Sequence, residues 1–524
     1  MRFAFPLPRS PGNPSPLQDF SKPVKKDIKL KRVNFEREAA MQDAVLVLSH
    51  DVALAGLIAR TLRWRCVYCT ILPLSASWGD ICAIDPKGVI VAGDDGDVLT
   101  DMAPTLLTSQ LPLLLLGNAA ASLCAHYGGQ CAPVEAQTGS TILTLDDPVL
   151  FEGLEGGERM LHRLSALTLS DSQSPIALAA ERVIGFRHTA LPQYGLQYPI
   201  ERNDPDGAQI LSNFACGICG CQANWDDDAI IDQALESIRT LVPADGRVMC
   251  AVSGGVDSAV CAKLASLAVG NRLTCVFIDT GLFHTREPET VIGDFMDAMD
   301  IVVAYVDAGE QFTQALKGVT DGDDKERIAS ALMTRILLEQ FNYEPDIHTL
   351  IMGTNFNDML YGFSPTAAFD STKGALELRV LEPIKNLFKD EVRRLAQALK
   401  LPSTIADRQP FPASGLAMRI FGEITEERLS LLRAADERLA DEILAGGFER
   451  KLWQYYSVLL QSPDKPSRYT ICIRALQAGQ TTATSARLPY DLLERVTARL
   501  LRELPSISRV AYDLTPSSHY GELE

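Results

Sequence analysis

Val248-Met249-Cys250-Ala251-Val252-Ser253-Gly254-Gly255-Val256-Asp257-Ser258 runs from an apolar, β-prone segment into a small, polar, glycine-rich turn. The next residues, Ala259-Val260-Cys261-Ala262-Lys263-Leu264-Ala265-Ser266-Leu267-Ala268, read as a helix. A strand, a tight loop and a helix N-terminus together make a phosphate-binding arrangement. Backbone N–H groups are unpaired there, the helix dipole favours an anion, and glycines admit oxygens closely. Ser253 and Ser258 add hydroxyl donors, whereas Asp257 would repel phosphate unless a cation lay between them. That charge pattern points to Mg²⁺ bridging Asp257 to a nucleotide phosphate.

The pattern S-G-G-x-D-S differs from the G-x-x-x-x-G-K-[ST] loop of phosphoryl-transfer enzymes. It resembles the PP-loop of ATP pyrophosphatases, which cleave ATP between its α and β phosphates and adenylate a carbonyl oxygen. A chance glycine turn would explain the glycines. It would not explain strand, six motif residues and helix in this order.

The 524 residues allow about three or four domains. A hydrophobic content of 46% supports sizeable cores, so the chain reads as globular. A formal net charge of −18 argues against a general nucleic-acid binder, which needs a basic footprint. No apolar run is long enough to span a bilayer, and the longest, around Leu111 to Leu116, reads as a buried strand. The twelve cysteines follow no secretory signal and read as reduced thiols of a cytoplasmic protein. Cys66/Cys69 and Cys216/Cys219/Cys221 have spacings compatible with zinc, but no matching histidine pair accompanies them.

Residues 1 to about 42 are rich in Pro, Ser, Lys and Arg without apolar periodicity. They read as a disordered basic tail, or as upstream sequence if translation starts at Met41. From Asp43 strands and helices alternate: Ala44–Leu48, helix Ala53–Leu62, then Val67–Leu72, Val89–Gly93 and Leu113–Gly117. That order implies a parallel sheet, with an antiparallel extension up to Tyr194–Tyr198. Asn213 to Trp225 reads as a connector, and Asp226–Leu241 as a helix entering the PP-loop strand. Thr274–Asp279, Ile301–Val306 and Leu350–Thr354 supply further strands, with helices at Glu287–Met299, Glu310–Phe341 and Phe388–Leu399. Beyond Arg408, a helix over Thr425–Gly446, an alternating strand Tyr469–Arg474, a helix Asp491–Leu504 and a strand Ile507–Asp513 suggest a small α+β domain with three strands. The expected segments are therefore 1–42, 43–210, 211–408 and 409–524.

From about residue 43 the chain resembles glutamine-hydrolysing GMP synthase. The resemblance is carried in order by Asn213-Phe214 with Ile218-Cys219-Gly220-Cys221, the PP-loop, Cys275 to Leu282, and Gly318-Val319-Thr320-Asp321. It continues through Gly353-Thr354 with Asp358, Glu382-Pro383, and Leu387-Phe388-Lys389-Asp390-Glu391-Val392-Arg393. Pro410-Phe411-Pro412, Gly415 to Ile420, Leu488 to Asp491 and Arg509 to Asp513 complete it. The implied fold is α/β throughout. It comprises a class I amidotransferase-like domain, a PP-loop ATP pyrophosphatase domain of the adenine nucleotide alpha hydrolase-like type, and a small α+β dimerisation domain. The implied chemistry is glutamine hydrolysis and ATP-driven amination of XMP by the ammonia released.

Carried onto matching positions, the resemblance assigns Ser253, Gly254, Gly255, Val256, Asp257, Ser258 and Asp279 to ATP, and Asp257 and Asp358 to Mg²⁺. Asp257, Asp358 and Lys389 become the catalytic candidates, with Arg419, Glu522 and Glu524 on the purine nucleotide. A solvated helix-end pair is the plain alternative for Asp358 and Lys389.

The departures fall elsewhere. A class I amidotransferase needs a cysteine on a strained strand-to-helix turn, activated by His and oriented by Glu. Here that turn reads Leu116-Gly117-Asn118-Ala119-Ala120-Ala121, so Asn118 stands at the nucleophile position. Cys124 lies further along the helix and reads as a core residue. The family's His-Pro-Glu segment corresponds to Pro199-Ile200-Glu201, and the oxyanion loop reads Ala92-Gly93-Asp94-Asp95. The lid, Tyr361 to Lys373, lacks the family's histidines, and Lys373 is the one candidate to replace its lysine. The Lys-Pro-Pro element becomes Thr515-Pro516-Ser517, Gln409 replaces a histidine, and Ala413-Ser414 replace Gly-Pro.

Three functions are compatible with this pattern. One is an ammonia-using GMP synthase with a dead amidotransferase domain. The second is a PP-loop ligase adenylating a different acceptor. The third is a non-catalytic relative that binds nucleotide or pairs with an active synthase. A homodimer through the last domain is implied by resemblance.

Overall fold

A computed structural model describes residues 28–32, 43–93, 98–133, 139–161, 165–198, 200, 204–285, 287–299, 301–344, 346–356, 358, 376–411, 414–462, 468–477 and 484–515. The chain divides into two compact units: Glu36–Ile230, and Met1–Phe35 together with Ile231–Glu524. No helix among the described residues is long and apolar enough to cross a membrane.

In Glu36–Ile230 the leucine- and valine-rich runs form a parallel array in the order Cys69–Pro73, Val45–Ser49, Gly88–Gly93, Leu113–Gly117, Gln193–Leu196. Leu113 to Leu116 are buried on both faces, which is why that run shows no alternation. The sheet continues antiparallel through Arg182–His188, Gln173–Ala179, Gly139–Leu145 and Gly157–Leu161, as the shorter, more polar segments predict. The connector from Asn213 is partly a π-helix, Asn213–Ile218. Its wide turn is held by the Asn213 amide, which donates to the carbonyls of Leu150 (3.0 Å) and Glu152 (2.8 Å).

The other unit is built on a six-stranded, all-parallel sheet. Its strands are β1 (Ile28–Arg32), β2 (Arg247–Val252), β3 (Leu273–Asp279), β4 (Val303–Asp307), β5 (Ile347–Ile351) and β6 (Leu376–Leu381). Their spatial order is β1-β6-β5-β2-β3-β4. Helices α1 (Val256–Val269), α2 (Glu287–Met299), α3 (Gly322–Tyr343) and α4 (Lys389–Ala398) connect and cover it. Two strands correct the sequence reading. β1 lies inside the expected tail: Ile28-Lys29-Leu30-Lys31-Arg32 alternates apolar with basic residues, the period of an edge strand, and pairs with β6. β6 itself follows from no isolated apolar run, because Glu377 and Arg379 interrupt it.

Past α4 the chain forms a four-stranded sheet of β7 (Gln454–Gln461), β8 (Tyr469–Gln477), β9 (Thr484–Ser485) and β10 (Ile507–Tyr512), not three strands. Helices α5 (Glu426–Ala445) and α6 (Tyr490–Glu503) pack with it. β8 alternates in sequence but is buried at its polar positions as well. Arg474 is fully buried because Asp513 (3.0 Å) and the Thr515 carbonyl (2.7 Å) satisfy its guanidinium. The hydrophobic core runs without a break from Met249 and Val276 through Leu416, Leu432 and Ile471 to Leu500. The sheet bearing the PP-loop and the four-stranded sheet therefore share one core.

Candidate active site

β2 ends at Val252, Ser253 to Gly255 turn, and α1 begins at Val256. Gly254 takes φ +84°, a left-handed conformation that a side chain disfavours, and a Cβ there would strike Arg408 and Val291. Ser258, in the first turn of α1, closes the loop on itself. Its hydroxyl accepts from the Ser253 N–H (3.2 Å) and donates to the Gly255 carbonyl (3.0 Å). The strand order reverses between β2 and β5, since β3 and β4 lie on one side of β2 and β5 returns on the other. Open parallel sheets bind ligands at the carboxyl ends of strands at such a switch. The PP-loop after β2 and Gly353-Thr354-Asn355 after β5 meet there.

The meeting is tight. A Cβ on Gly353 would lie 2.9 Å from the Ser258 nitrogen and 3.0 Å from the Asp257 carbonyl carbon. Two residues on, the Asn355 side-chain amide donates to Asp257 (3.4 Å), the Asn355 backbone N–H donates to the Asp358 carboxylate (2.9 Å), and the Asp358 backbone N–H donates to the Asn355 side-chain oxygen (3.1 Å). Thr354 donates to Glu382 at the end of β6 (2.7 Å). Lys389, first residue of α4, forms an ion pair with Asp257. Asp257, Asp358 and Lys389 are thus brought into one cluster. Asn355, Thr354 and Glu382 join it. Glu382 stands in a landmark segment, whereas nothing local marked Asn355.

Asp279 ends β3, two strands away from β5 in the sheet. Its carboxylate accepts from the Gly281 N–H (2.8 Å) and the Tyr305 hydroxyl (2.6 Å). Burial and this bond push the Tyr305 phenol up.

Arg419 lies inside the fold. It is 3% exposed, stacked on Tyr456 at 4.1 Å and near Phe411 at 5.2 Å, with Asp436 at 3.8 Å. It is a buried cation beside the shared core. Lys325 anchors the same segment by donating to the carbonyls of Ala417 (3.5 Å) and Ile420 (2.5 Å). In the other unit, Asn118 opens the helix Asn118–His126 directly after Gly117, whose φ is +64°. The strand-to-turn-to-helix elbow is therefore present. Cys124 is buried further along, against Gln173 and the Thr168 carbonyl, and burial pushes its thiol up. Pro199, Glu201, Asp94, Asp95, Lys373, Glu522 and Glu524 lie outside the described residues.

Mg²⁺ usually takes one or two carboxylates together with substrate phosphates and water. Asp257 and Asp358, joined through Asn355, offer that hard-oxygen set, and among the described residues no group of three or more His, Cys, Asp or Glu forms a closed metal cage. The Asp358 carboxyl is pushed up to about 6, chiefly by burial and then by the charges of Asp257 and Glu382, against the pull of the Asn355 N–H and Lys389. A cation here would relieve that crowding, so the residues fit the ion.

The raised value has two consequences of opposite sign. Protonation favours the ligand-free fold, so this group's stabilisation is full below its ordinary value of 3.8 and is lost as pH rises through about 6. If Asp358 ligates Mg²⁺, binding would need the carboxylate and would weaken as pH falls through the same range. Asp358→Asn is expected to flatten the Tm–pH profile there and to remove the acid limb of MgATP affinity. Melting curves and equilibrium binding from about pH 5 to 7 check this, and an unchanged acid limb in the variant would count against Asp358.

Known families and proteins match this sequence. Residues 230–429 match the family model for NAD synthase, and residues 441–519 match that for the GMP synthase C terminal domain. The glutamine-hydrolyzing GMP synthase of Parafrankia sp. (strain EAN1pec) is 36% identical over 515 residues, covering 90% of this chain and 95% of its own. That of Carboxydothermus hydrogenoformans is 35% identical, covering 91% and 98%. That of Thermomicrobium roseum is 34% identical, covering 90% and 95%. With identities at this level along nearly the whole length of both partners, this chain belongs to the GMP synthase family.

Proposed function

We propose that this chain aminates XMP to GMP at the expense of ATP, taking free ammonia as the nitrogen donor because its glutaminase half is inactive. The observation that carries the reading is the convergence of Asp257, Asp358 and Lys389 on a phosphate cradle at the switch point of the sheet. The carbonyl oxygen of the purine attacks the α-phosphorus and pyrophosphate leaves. Ammonia then adds to the adenylated carbon, AMP departs with the oxygen, and a proton is released. The cradle of Ser253 to Ser258 holds the leaving pyrophosphate by N–H and hydroxyl donors. Lys389, held by Asp257 in the ligand-free chain, can pass to phosphate oxygens without new desolvation. Mg²⁺, when bound at Asp257 and Asp358, supplies charge neutralisation on the phosphates.

Asn118 at the elbow supports the loss of glutaminase, because a carboxamide cannot form the thioester on which that chemistry depends. The acceptor side includes Glu522 and Glu524. Arg419 serves it by holding the Gly415–Arg419 segment through the core rather than by direct contact. Homodimerisation through the last domain and a cytoplasmic location complete the reading.

The test supplies the purified chain with XMP and MgATP, and either ammonium or glutamine. AMP and GMP are expected with ammonium, and a rate at least about 10³-fold lower with glutamine, as for loss of a nucleophile. Absence of both products with ammonium would overturn the synthase reading. Turnover with glutamine alone would overturn the inactive amidotransferase. The burial of Arg419 favours a second reading, a different carbonyl acceptor. AMP formation with another acceptor but not with XMP would select it.

A further inference from the structure

We infer that Arg408 is a positioning residue that locks the peptide plane between Gly254 and Gly255, and so sets which way the PP-loop presents its N–H groups. Its guanidinium donates to the Gly254 carbonyl (3.0 Å) and forms an ion pair with Glu287 at the start of α2. The other Glu287 oxygen accepts the His284 N–H (2.8 Å), so the carboxylate that aims the guanidinium is itself fixed. Arg408 and Glu287 side chains are only 23% and 11% exposed.

The reason for a lock lies in the loop's own sequence. A peptide unit is planar and trans, so its C=O and N–H point in opposite directions. Gly254 and Gly255 flank one such plane, and neither carries a Cβ to resist its rotation. Holding the Gly254 carbonyl toward Arg408 turns the Gly255 N–H the other way. There it donates to the Ser253 hydroxyl at 3.4 Å, inside the cradle. Val291 of α2 closes the remaining side of Gly254.

The lock is tied to the catalytic lysine. The Arg408 carbonyl accepts from Arg393 (3.4 Å), one turn along α4 from Lys389, which holds Asp257. Gly254 and Asp257, at the two ends of the turn, are therefore both fastened to the single stretch from Lys389 to Arg408. The next residues run into the four-stranded sheet: Gln409 accepts the Tyr455 N–H (2.9 Å), and the Pro410 carbonyl accepts from Gln454 (2.9 Å). The phosphate cradle is thereby registered to β7 through Arg408.

The role in nucleotide binding rests on the function proposed above, whereas the loop geometry does not, and the experiment separates them. Amide exchange of the Ser253–Ser258 segment is followed in the ligand-free full chain. Affinity for Mg²⁺ with α,β-methylene-ATP and with pyrophosphate is measured beside it. Arg408→Gln is expected to speed exchange and weaken both ligands about tenfold, the effect of losing one charged hydrogen bond. Arg408→Lys is expected to recover only part of this, because one ammonium cannot serve the carbonyl and Glu287 as a planar fork does. Glu287→Gln, which leaves Arg408 in place, gives a smaller change in the same direction and carries the test if Arg408→Gln does not fold. Unchanged exchange in the folded variants would overturn the lock. Full recovery by lysine would reduce Arg408 to a general positive charge and also overturn it. Faster exchange with no ligand bound even by the unsubstituted chain would uphold the lock and sink the ATP reading alone.

Discussion

Asp257→Asn is expected to lower kcat for AMP formation by about 10²- to 10³-fold, the range seen when one preorganised electrostatic partner of a transition state is removed. The carboxamide keeps the shape and loses three functions together. It cannot neutralise Lys389, it is a poor Mg²⁺ ligand, and it weakens the acceptor that orients Asn355 toward Asp358. Removing one partner of a partly buried ion pair leaves the other charge uncompensated, so some loss of stability accompanies the loss of rate. Lys389→Met removes the complementary charge and should act through pyrophosphate departure. Combining the two changes should cost less than the product of their separate effects, because they share one interaction. Steady-state AMP and pyrophosphate formation with ammonium, alongside melting temperature, checks this. A folded Asp257→Asn chain within about threefold of full activity would remove Asp257 from the mechanism.

Gly353→Ala comes next in expected effect, although Gly353 contributes no functional group. The added methyl would lie 2.9 Å from the Ser258 nitrogen, 3.0 Å from the Asp257 carbonyl carbon and 3.1 Å from the Ser258 Cα. All three are backbone atoms of the first turn of α1, so no rotamer change relieves the contact. The turn must move away from β5, carrying Asp257 and Ser258 with it. A displacement approaching 1 Å at reacting groups costs on the order of 10²-fold in rate, and overpacking costs about 1–3 kcal/mol in stability. Gly293 provides the control. It lies within α2, and a Cβ there meets nothing within 4 Å. Gly293→Ala should leave activity unchanged and stabilise the chain by up to about 1 kcal/mol through helix propensity. Equal activity in both variants would mean that the loop after β5 does not brace the PP-loop.

The legible part of this molecule was legible because it is local. S-G-G-x-D-S sits between an apolar run and a helical one, so a contiguous stretch encodes the strand, the turn and the helix. Glu287–Met299 and Leu113–Gly117 fold over the same residues that the sequence predicts, since uninterrupted periodicity or an unbroken apolar run defines their ends. β1, β6 and β7 escaped for the opposite reason. Charged or polar residues interrupt them, and their strand character comes from a neighbour's backbone: β6 for β1, and β8 for β7. Asn355 escaped because an asparagine beyond a strand carries no signal until Asp257 and Asp358 stand on either side of it.

By itself, then, the sequence determined the PP-loop, the α/β class, the family likeness and the asparagine at the amidotransferase elbow. Each rests on residue types and their order along the chain. Tertiary structure alone decided that Lys389 pairs with Asp257 across 132 residues and that Arg408 holds Gly254 across 154. It also buried Arg419 beside Tyr456 and Asp436. An ionic side chain's role is set by which partners can desolvate and neutralise it, and those partners are chosen by packing, not by proximity in sequence.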